Sequence, residues 1–231
     1  MFPIRDHNPS SRTPYVTWGI IVLNIALFVL TMPGIGGMEG LWEDWALYPA
    51  AILHGAYLQG LVMHMFLHAG FLHLAGNMLF LWVFGDNLED QLGHLGFALF
   101  YLMAGLAAAA AQIAVDPAST VPMVGASGAI AGVMGGYMLL FPRARVDVLL
   151  IFIVFFKVFP IPAWVVLGVW FAFQLLNGTA ASVGDGVAYW AHIGGFVAGL
   201  LLMVPHWRRM GGVRFWDQTR GRPPHPAIDY S

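Results

Sequence analysis

Six apolar stretches recur along the chain, parted by short breaks rich in polar residues, glycine and proline: Tyr15 to Met32, Gly70 to Leu88, Leu95 to Val115, Ser127 to Phe141, Ile161 to Asn177 and Val187 to Val204. A helix needs roughly 20 residues to cross the hydrocarbon of a bilayer, so each stretch predicts a membrane span. The fourth, at about 15 residues, suits a helix ringed by others that stops below one surface. Val148 to Phe159 is apolar too, but its roughly 12 residues, closed by Lys157 and Pro160-Ile161-Pro162, are too few to cross. That stretch predicts an interfacial segment.

Composition agrees with a polytopic membrane protein: 59% of the residues are hydrophobic and only 10% charged, more apolar surface than one water-soluble domain can hide. The net charge of −2 gives no basic field, which argues against nucleic acid as a partner. With no cysteine there is no disulfide, thiolate metal site or cysteine nucleophile. The first fourteen residues carry Arg5 and Arg12 and lead into the first stretch without a small-residue cleavage site, the pattern of a retained span.

Charge placement tests the span count. Positive residues gather in cytoplasmic loops. With six spans and the N-terminus inside, Arg5, Arg12, Arg143, Arg145, Lys157, Arg208, Arg209, Arg214, Arg220 and Arg222, all 10 Lys and Arg, fall on the cytoplasmic side. A seventh span at Val148 to Phe159 would move the five C-terminal arginines outside. The expected organisation is a cytoplasmic N-terminal segment over residues 1–14, a six-span domain over 15–205 and a loosely ordered, basic cytoplasmic tail over 206–231. The loop from Pro33 to about Gly60, with Trp42, Trp45, Tyr48 and Tyr57 among Glu39, Glu43 and Asp44, has the composition of the water–lipid boundary.

In this topology spans two, four and six run inward from the outer face, and His73 with Asn77, Ser127 and His192 each lie within about two turns of the outer end of their span. Three helices therefore place polar groups at one depth. On the sixth span Ala188, His192, Gly195 and Gly199 fall near one line at 3.6 residues per turn, and Ser127, Ala131 and Gly135 do so on the fourth. Small residues let membrane helices approach closely, so the two seams are expected to bring His192 to Ser127. A hydroxyl beside a base can act as a nucleophile, and a serine at a helix start lies beside unpaired backbone N–H groups. His73 and Asn77, four apart on one face, can donate to a developing oxyanion together with the Ser127 N–H. With no carboxylate at these outer ends, a Ser-His dyad is expected. Each motif alone also reads as tight packing of small residues or as interhelical hydrogen bonding.

Gly125-Ala126-Ser127-Gly128, the His73-x-x-x-Asn77 pair and Ala188-x-x-x-His192-x-x-Gly195-x-x-x-Gly199, in this order over six spans, resemble the rhomboid intramembrane serine proteases. The resemblance covers about Tyr15 to Pro205. It implies an all-α membrane protein, a six-helix bundle with a water-filled cavity open to the extracytoplasmic side, N- and C-termini cytoplasmic. Ser127 would be the nucleophile, His192 the general base and acid, and His73, Asn77 and the Ser127 N–H the oxyanion hole. His68, Gly125, Gly128, Gly195 and Gly199 would support the site, His68 as a water-binding or structural group. No cofactor is implied. The partners would be single-span or polytopic membrane-protein substrates and the lipid bilayer, in the setting of a bacterial cytoplasmic membrane.

The chain departs from the family at three places: Ala131 replaces an aromatic that stacks on the imidazole in some members, Glu89-Asp90-Gln91 replaces a Glu-x-Arg pair, and a Trp-Arg dipeptide of the first external loop is absent. Something other than residue 131 must orient His192. Lateral passage of substrate is expected past the fifth span, where Trp164, Trp170, Phe171 and Phe173 offer bulky surface. Three other readings compete. A catalytically inactive, helix-binding relative would be favoured by loss of the serine or histidine, and both are present. A histidine-metal hydrolase or transporter rests on His64 and His68, four apart, with His54 and His73 nearby, but lacks the glutamate of His-Glu-x-x-His. An aspartyl protease needs two membrane aspartates, and only Asp185, in a loop, comes close.

Overall fold

The computed structural model describes residues 2–38, 40–152, 155–180 and 187–223. Asp185 and the tail beyond residue 223 lie outside them. In chain order the elements are β1 (Phe2–Asp6), α1 (Tyr15–Thr31), the short helices α2 (Gly40–Trp45), α3 (Pro49–Leu53) and α4 (Gly60–Met63), a 3-10 turn over His64–Phe66, α5 (Phe71–Val115), α6 (Ser127–Leu140), β2 (Arg145–Phe152), β3 (Phe155–Pro162), α7 (Ala163–Ala180), α8 (Tyr189–Arg209) and α9 (Val213–Thr219). Three of these helices, α5, α7 and α8, are long and apolar enough to cross a membrane, and α1 and α6 are shorter apolar helices.

The 45-residue α5 is two limbs joined at Gly93, whose φ of 71° and ψ of 167° leave the helical region where only glycine is at ease. The limbs fold back on each other. A methyl group at Gly128 would meet Ala108 on the second limb, and one at Gly136, two turns further along α6, would meet Leu88 and Phe100 on either side of the bend. Next to the bend, the buried Glu89 carboxylate accepts from the Val16 N–H (2.9 Å), the Thr17 N–H (2.8 Å) and the Thr17 hydroxyl (2.7 Å), and from the His94 ring. It thus satisfies two of the backbone donors orphaned at the start of α1. The absent Glu-x-Arg pair is replaced by this cap and the Glu89–His94 contact.

At the centre α6 is walled in: Gly128 through Tyr137 are buried without a break. Its glycines set the spacing. A methyl group at Gly195 would overlap the Gly128 carbonyl, one at Gly199 the Gly132 carbonyl, and one at Gly135 the Phe196 carbonyl. Backbones this close require residues without a Cβ. The seam on α6 is therefore Gly128, Gly132 and Gly135, one residue round from the expected Ser127, Ala131 and Gly135. On α8 it runs through Ala191, Gly195 and Gly199. Large apolar side chains fill the interior, Phe84, Phe97 and Phe141 among them, and also face outward, where Trp18, Val22, Ile25, Trp164, Phe173 and Leu201 are exposed, an arrangement suited to hydrocarbon as solvent.

The all-helical expectation fails at one end of the bundle. β1, β2 and β3 form an antiparallel sheet in that order, Asp6 pairing with Val146 and Arg145 with Pro162. The stretch read as an interfacial segment is the β2–β3 hairpin. Runs rich in Val, Ile and Phe favour pleated backbone, and a short apolar run does not by itself distinguish strand from helix. The N-terminal segment is held by the same sheet. Arg5 bonds the Asp147 carboxylate through Nε (3.1 Å) and Nη2 (2.7 Å), and the His7 ring meets its other oxygen at 2.8 Å. Burial alone would raise the Asp147 carboxyl, but these partners hold it below the usual range. Asp6 accepts from the Tyr137 hydroxyl at 2.7 Å and is pushed up to about 8, chiefly by burial.

The start of the tail is not loose either. α8 runs on to Arg209, and α9 packs back with Phe215 buried, the Trp216 indole N–H donating to the Leu139 carbonyl (3.0 Å) and the Trp207 and Trp216 rings 4.8 Å apart. Two indoles and a phenylalanine supply apolar area that a sequence reading based on arginine and proline content passes over.

Candidate active site

At the opposite end of the bundle from the sheet, a cavity of about 800 Å³ is lined by His64, His73, Gly125, Ser127, Gly128 and His192, with Trp42, Gln112, Tyr189 and Trp190 among the other walls. Ser127 is the first residue of α6, so its own N–H and those of Gly128 and Ala129 precede the first helical bond, which Ile130 makes to the Ala126 carbonyl at 2.9 Å. The preceding Gly125 has φ +129°, and its N–H donates to the His64 carbonyl at 2.9 Å. A Cβ there would lie 2.8 Å from His73 Cε1 and Nε2. Gly125 therefore does two things: it makes the turn into α6, and it lets the His73 ring rest against the segment carrying Ser127.

His192 stands one turn into α8, on the far side of the glycine seam. The Ser127 hydroxyl meets its Nε2 at 2.8 Å, and its Nδ1 meets Gln174 Oε1 of α7, also at 2.8 Å. Gln174 is buried at 8% exposure, and its amide nitrogen faces the Trp170 carbonyl at 3.4 Å. With that nitrogen turned away, the amide oxygen is an acceptor set against Nδ1. A proton on Nδ1 would leave Nε2 free to accept from the serine. The Trp170 ring flanks the imidazole, centroids 5.8 Å apart at 40°.

The other expected site residues divide. His73, in the first turn of α5, lines the cavity and lies edge-on to His68 with ring centroids 5.1 Å apart. His68 and Asn77 are buried and do not line the cavity. Neither ring nitrogen of His68, nor the Asn77 Nδ2, has a hydrogen-bond partner among the described residues. Asn77 sits one turn below His73 on the same helix face. Gly125 and Gly128 line the cavity, whereas Gly195 and Gly199 act below it, in the seam. His64 donates through Nδ1 to the Gly60 carbonyl at 2.8 Å. Among the described residues no three His, Asp or Glu side chains gather to hold a metal ion.

Gln174 was missed by sequence reasoning. Its signal was there: a buried-capable amide in an apolar span is costly and so points to a role, and Trp170 precedes it by one turn. Trp170, one of the residues expected to offer bulky lipid-facing or gating surface, lies against the imidazole.

Comparison with known proteins places these residues in context. Residues 54–209 match the family model described as Rhomboid domain. The chain is 30% identical over 198 residues to "Rhomboid protein 1, mitochondrial" of Saccharomyces cerevisiae, covering 80% of this chain and 51% of that one. It is 35% identical over 127 residues to "Rhomboid protease GluP" of Bacillus subtilis, covering 54% and 24%, and 31% identical over 168 residues to "RHOMBOID-like protein 6, mitochondrial" of Arabidopsis thaliana, covering 58% and 54%. The chain thus spans about half the length of these relatives or less.

Proposed function

The chain belongs to the rhomboid family, and from that premise we propose that it is an intramembrane serine endopeptidase working through Ser127 and His192. The observation that carries the proposal is the 2.8 Å contact between the serine hydroxyl and His192 Nε2 at the floor of a cavity. Ser127 attacks the substrate carbonyl as Nε2 takes its proton. The resulting oxyanion is met by the Ser127 N–H and by His73, and Asn77, buried one turn below His73 with its amide N–H unpartnered among the described residues, would have to turn toward the cavity to add a third donor. His192 returns the proton to the leaving amine, and water releases the acyl group by the reverse use of the same base.

Six crossings are proposed: α1, the two limbs of α5, α6, α7 and α8. The short α6 is tolerable because it is surrounded by the others. Counted so, all 10 Lys and Arg fall on the sheet side, the cytoplasmic side by the positive-inside rule, and the cavity opens to the opposite face. In this reading residues 15–205 form the protease domain, while the N-terminal strand and α9 close its cytoplasmic end. The substrates are transmembrane segments of membrane proteins. Their carbonyls are paired within a helix, so helix-weakening residues near the cut, and a small residue before it, are expected. Access would be lateral, past α7.

Purified protein in detergent should react covalently at Ser127 with a fluorophosphonate, and Ser127→Ala and His192→Ala should each abolish cleavage of a single-span substrate while leaving the protein folded. Near-normal turnover by either variant would discard the pair. A well-folded chain that binds such a substrate, cuts nothing and ignores the probe would be an inactive helix-binding relative.

A further inference from the structure

We infer that Gln174 is the positioning residue of the proposed site: it completes a Ser127–His192–Gln174 relay whose amide oxygen fixes the tautomer of the base. The inference rests on the serine–histidine reading and deepens it.

An imidazole that is to accept a serine proton at Nε2 must carry its own proton on Nδ1, and which nitrogen is protonated follows from what the other one bonds. Free histidine favours neither arrangement strongly enough to be left unattended in an apolar site. In this chain the acceptor is Gln174 Oε1, 2.8 Å from Nδ1. The amide cannot usefully turn over, because its NH₂ faces the Trp170 carbonyl one turn back; a flip would set donor against donor at the imidazole and carbonyl against carbonyl at Trp170. The bond is also placed where it can hold. Gln174 is buried, whereas Ala131, where an aromatic would stack on the ring, offers only a methyl group. From Gly168 to Ala180, Gln174 is the one buried side chain of α7. The part of the helix beyond Gly168 is therefore docked against the site through the same contact that sets the base.

A neutral amide differs from the carboxylate of a Ser-His-Asp triad. It fixes orientation and tautomer but offers no full charge to the imidazolium formed during acyl transfer, so its removal should cost less than the roughly 10⁴-fold seen when a triad carboxylate is exchanged for an amide that imposes the wrong tautomer. Gln174→Met keeps length and burial and removes the acceptor. It should lower kcat, and the rate at which a fluorophosphonate labels Ser127, by about 10- to 100-fold, with KM within about twofold. Gln174→Glu restores an acceptor oxygen in either protonation state and should recover to within about threefold of the parent. Gln174→Asn keeps the amide but withdraws it by one methylene, and should behave as the Met variant does.

The ¹⁵N spectrum of histidine-labelled parent protein is the decisive readout, since a merely structural glutamine would not move it. His192 should show a protonated Nδ1 and an unprotonated Nε2, and Gln174→Met should mix the two tautomers. A parent protein with Nε2–H, or Met and Asn variants that keep the parent's tautomer and labelling rate, would overturn the inference. Failure of the parent to label at Ser127 would instead sink the serine–histidine reading itself, and the tautomer measurement on the parent still decides the Gln174 link.

Discussion

α8 meets α6 and α7 in opposite ways, and the site hangs between the two contacts. Against α6 the approach is backbone to backbone: Gly195 and Gly199 lie on the carbonyls of Gly128 and Gly132, and Gly135 on that of Phe196. Against α7 every one of these contacts involves a side chain: Phe171 stacked on Phe196 at 4.6 Å, the Trp190 indole N–H on the Gly178 carbonyl at 3.2 Å, and Gln174 on His192. A backbone contact has no rotamers to adjust and fixes the Ser127–His192 separation. A side-chain contact can part and re-form. Ser127 and His192 are thus set across a tight glycine seam, whereas Gln174 stands on a helix joined to α8 through side chains, the side past which a substrate helix is proposed to enter.

Closing the rigid contact should have the largest effect. Gly199→Ala puts a methyl group onto the Gly132 carbonyl, and backbone cannot swing away as a flexible side chain can. The expected cost lies at or above the roughly 3 kcal/mol upper end of ordinary overpacking, enough to lose folded protein in detergent and with it probe labelling of Ser127. A variant that melts and labels like the parent would show that α6 and α8 are not locked.

A smaller effect is expected from the polar pair on α5, of which His73 rests against Gly125 before Ser127. If Asn77 bonds an oxyanion that exists fully only in the transition state, Asn77→Ala should lower kcat by about 10- to 10³-fold with KM little changed. His73→Ala should act similarly, and the double variant should lose less than the product of the two. Ser127 should still label, more slowly. A rise in KM alone would make Asn77 a substrate contact, and simple unfolding would make it an interhelical bond.

The same contrast explains what could be read from the sequence. The wall was legible because glycine and alanine spacing reports close approach, and Ser127 and His192 stand out as polar groups at matching depth. On α6 the seam runs through Gly128 and Gly132 and not the expected Ser127 and Ala131, with Gly135 common to both, because counting from Ser127 sets the serine itself on the facing line. Gln174 was overlooked since its span was judged by its aromatic residues, and nothing in periodicity says which of two sides a lone amide takes. The sheet was not legible for a different reason. Its pairing joins residues 2–6 to 145–162, and β1 is too short and irregular, with a register shift between Pro3 and Arg5, to announce itself locally. The Trp216 and Leu139 contact is likewise long-range.

The smallest effect should come from the loose side. At Gly168, in the first half of α7, nothing lies within 4 Å of where a Cβ would stand, and its φ is not in the left-handed region. Alanine there meets no clash and fits the helix. Its effect is then set by backbone freedom alone, which in water favours alanine over glycine by up to about 1 kcal/mol inside a helix. Gly168→Ala should therefore leave the melting temperature unchanged or slightly raised and probe labelling of Ser127 within about twofold of the parent, since the small probe reaches Ser127 through the cavity. Turnover of a single-span substrate is the sharper reading. If α7 must flex for a helix to pass, a stiffer α7 should slow turnover by a few-fold while labelling holds steady. Should Gly168→Ala be as damaging as Gly199→Ala, α7 packs as closely as α6 does, and the division between a fixed wall and a movable helix is wrong.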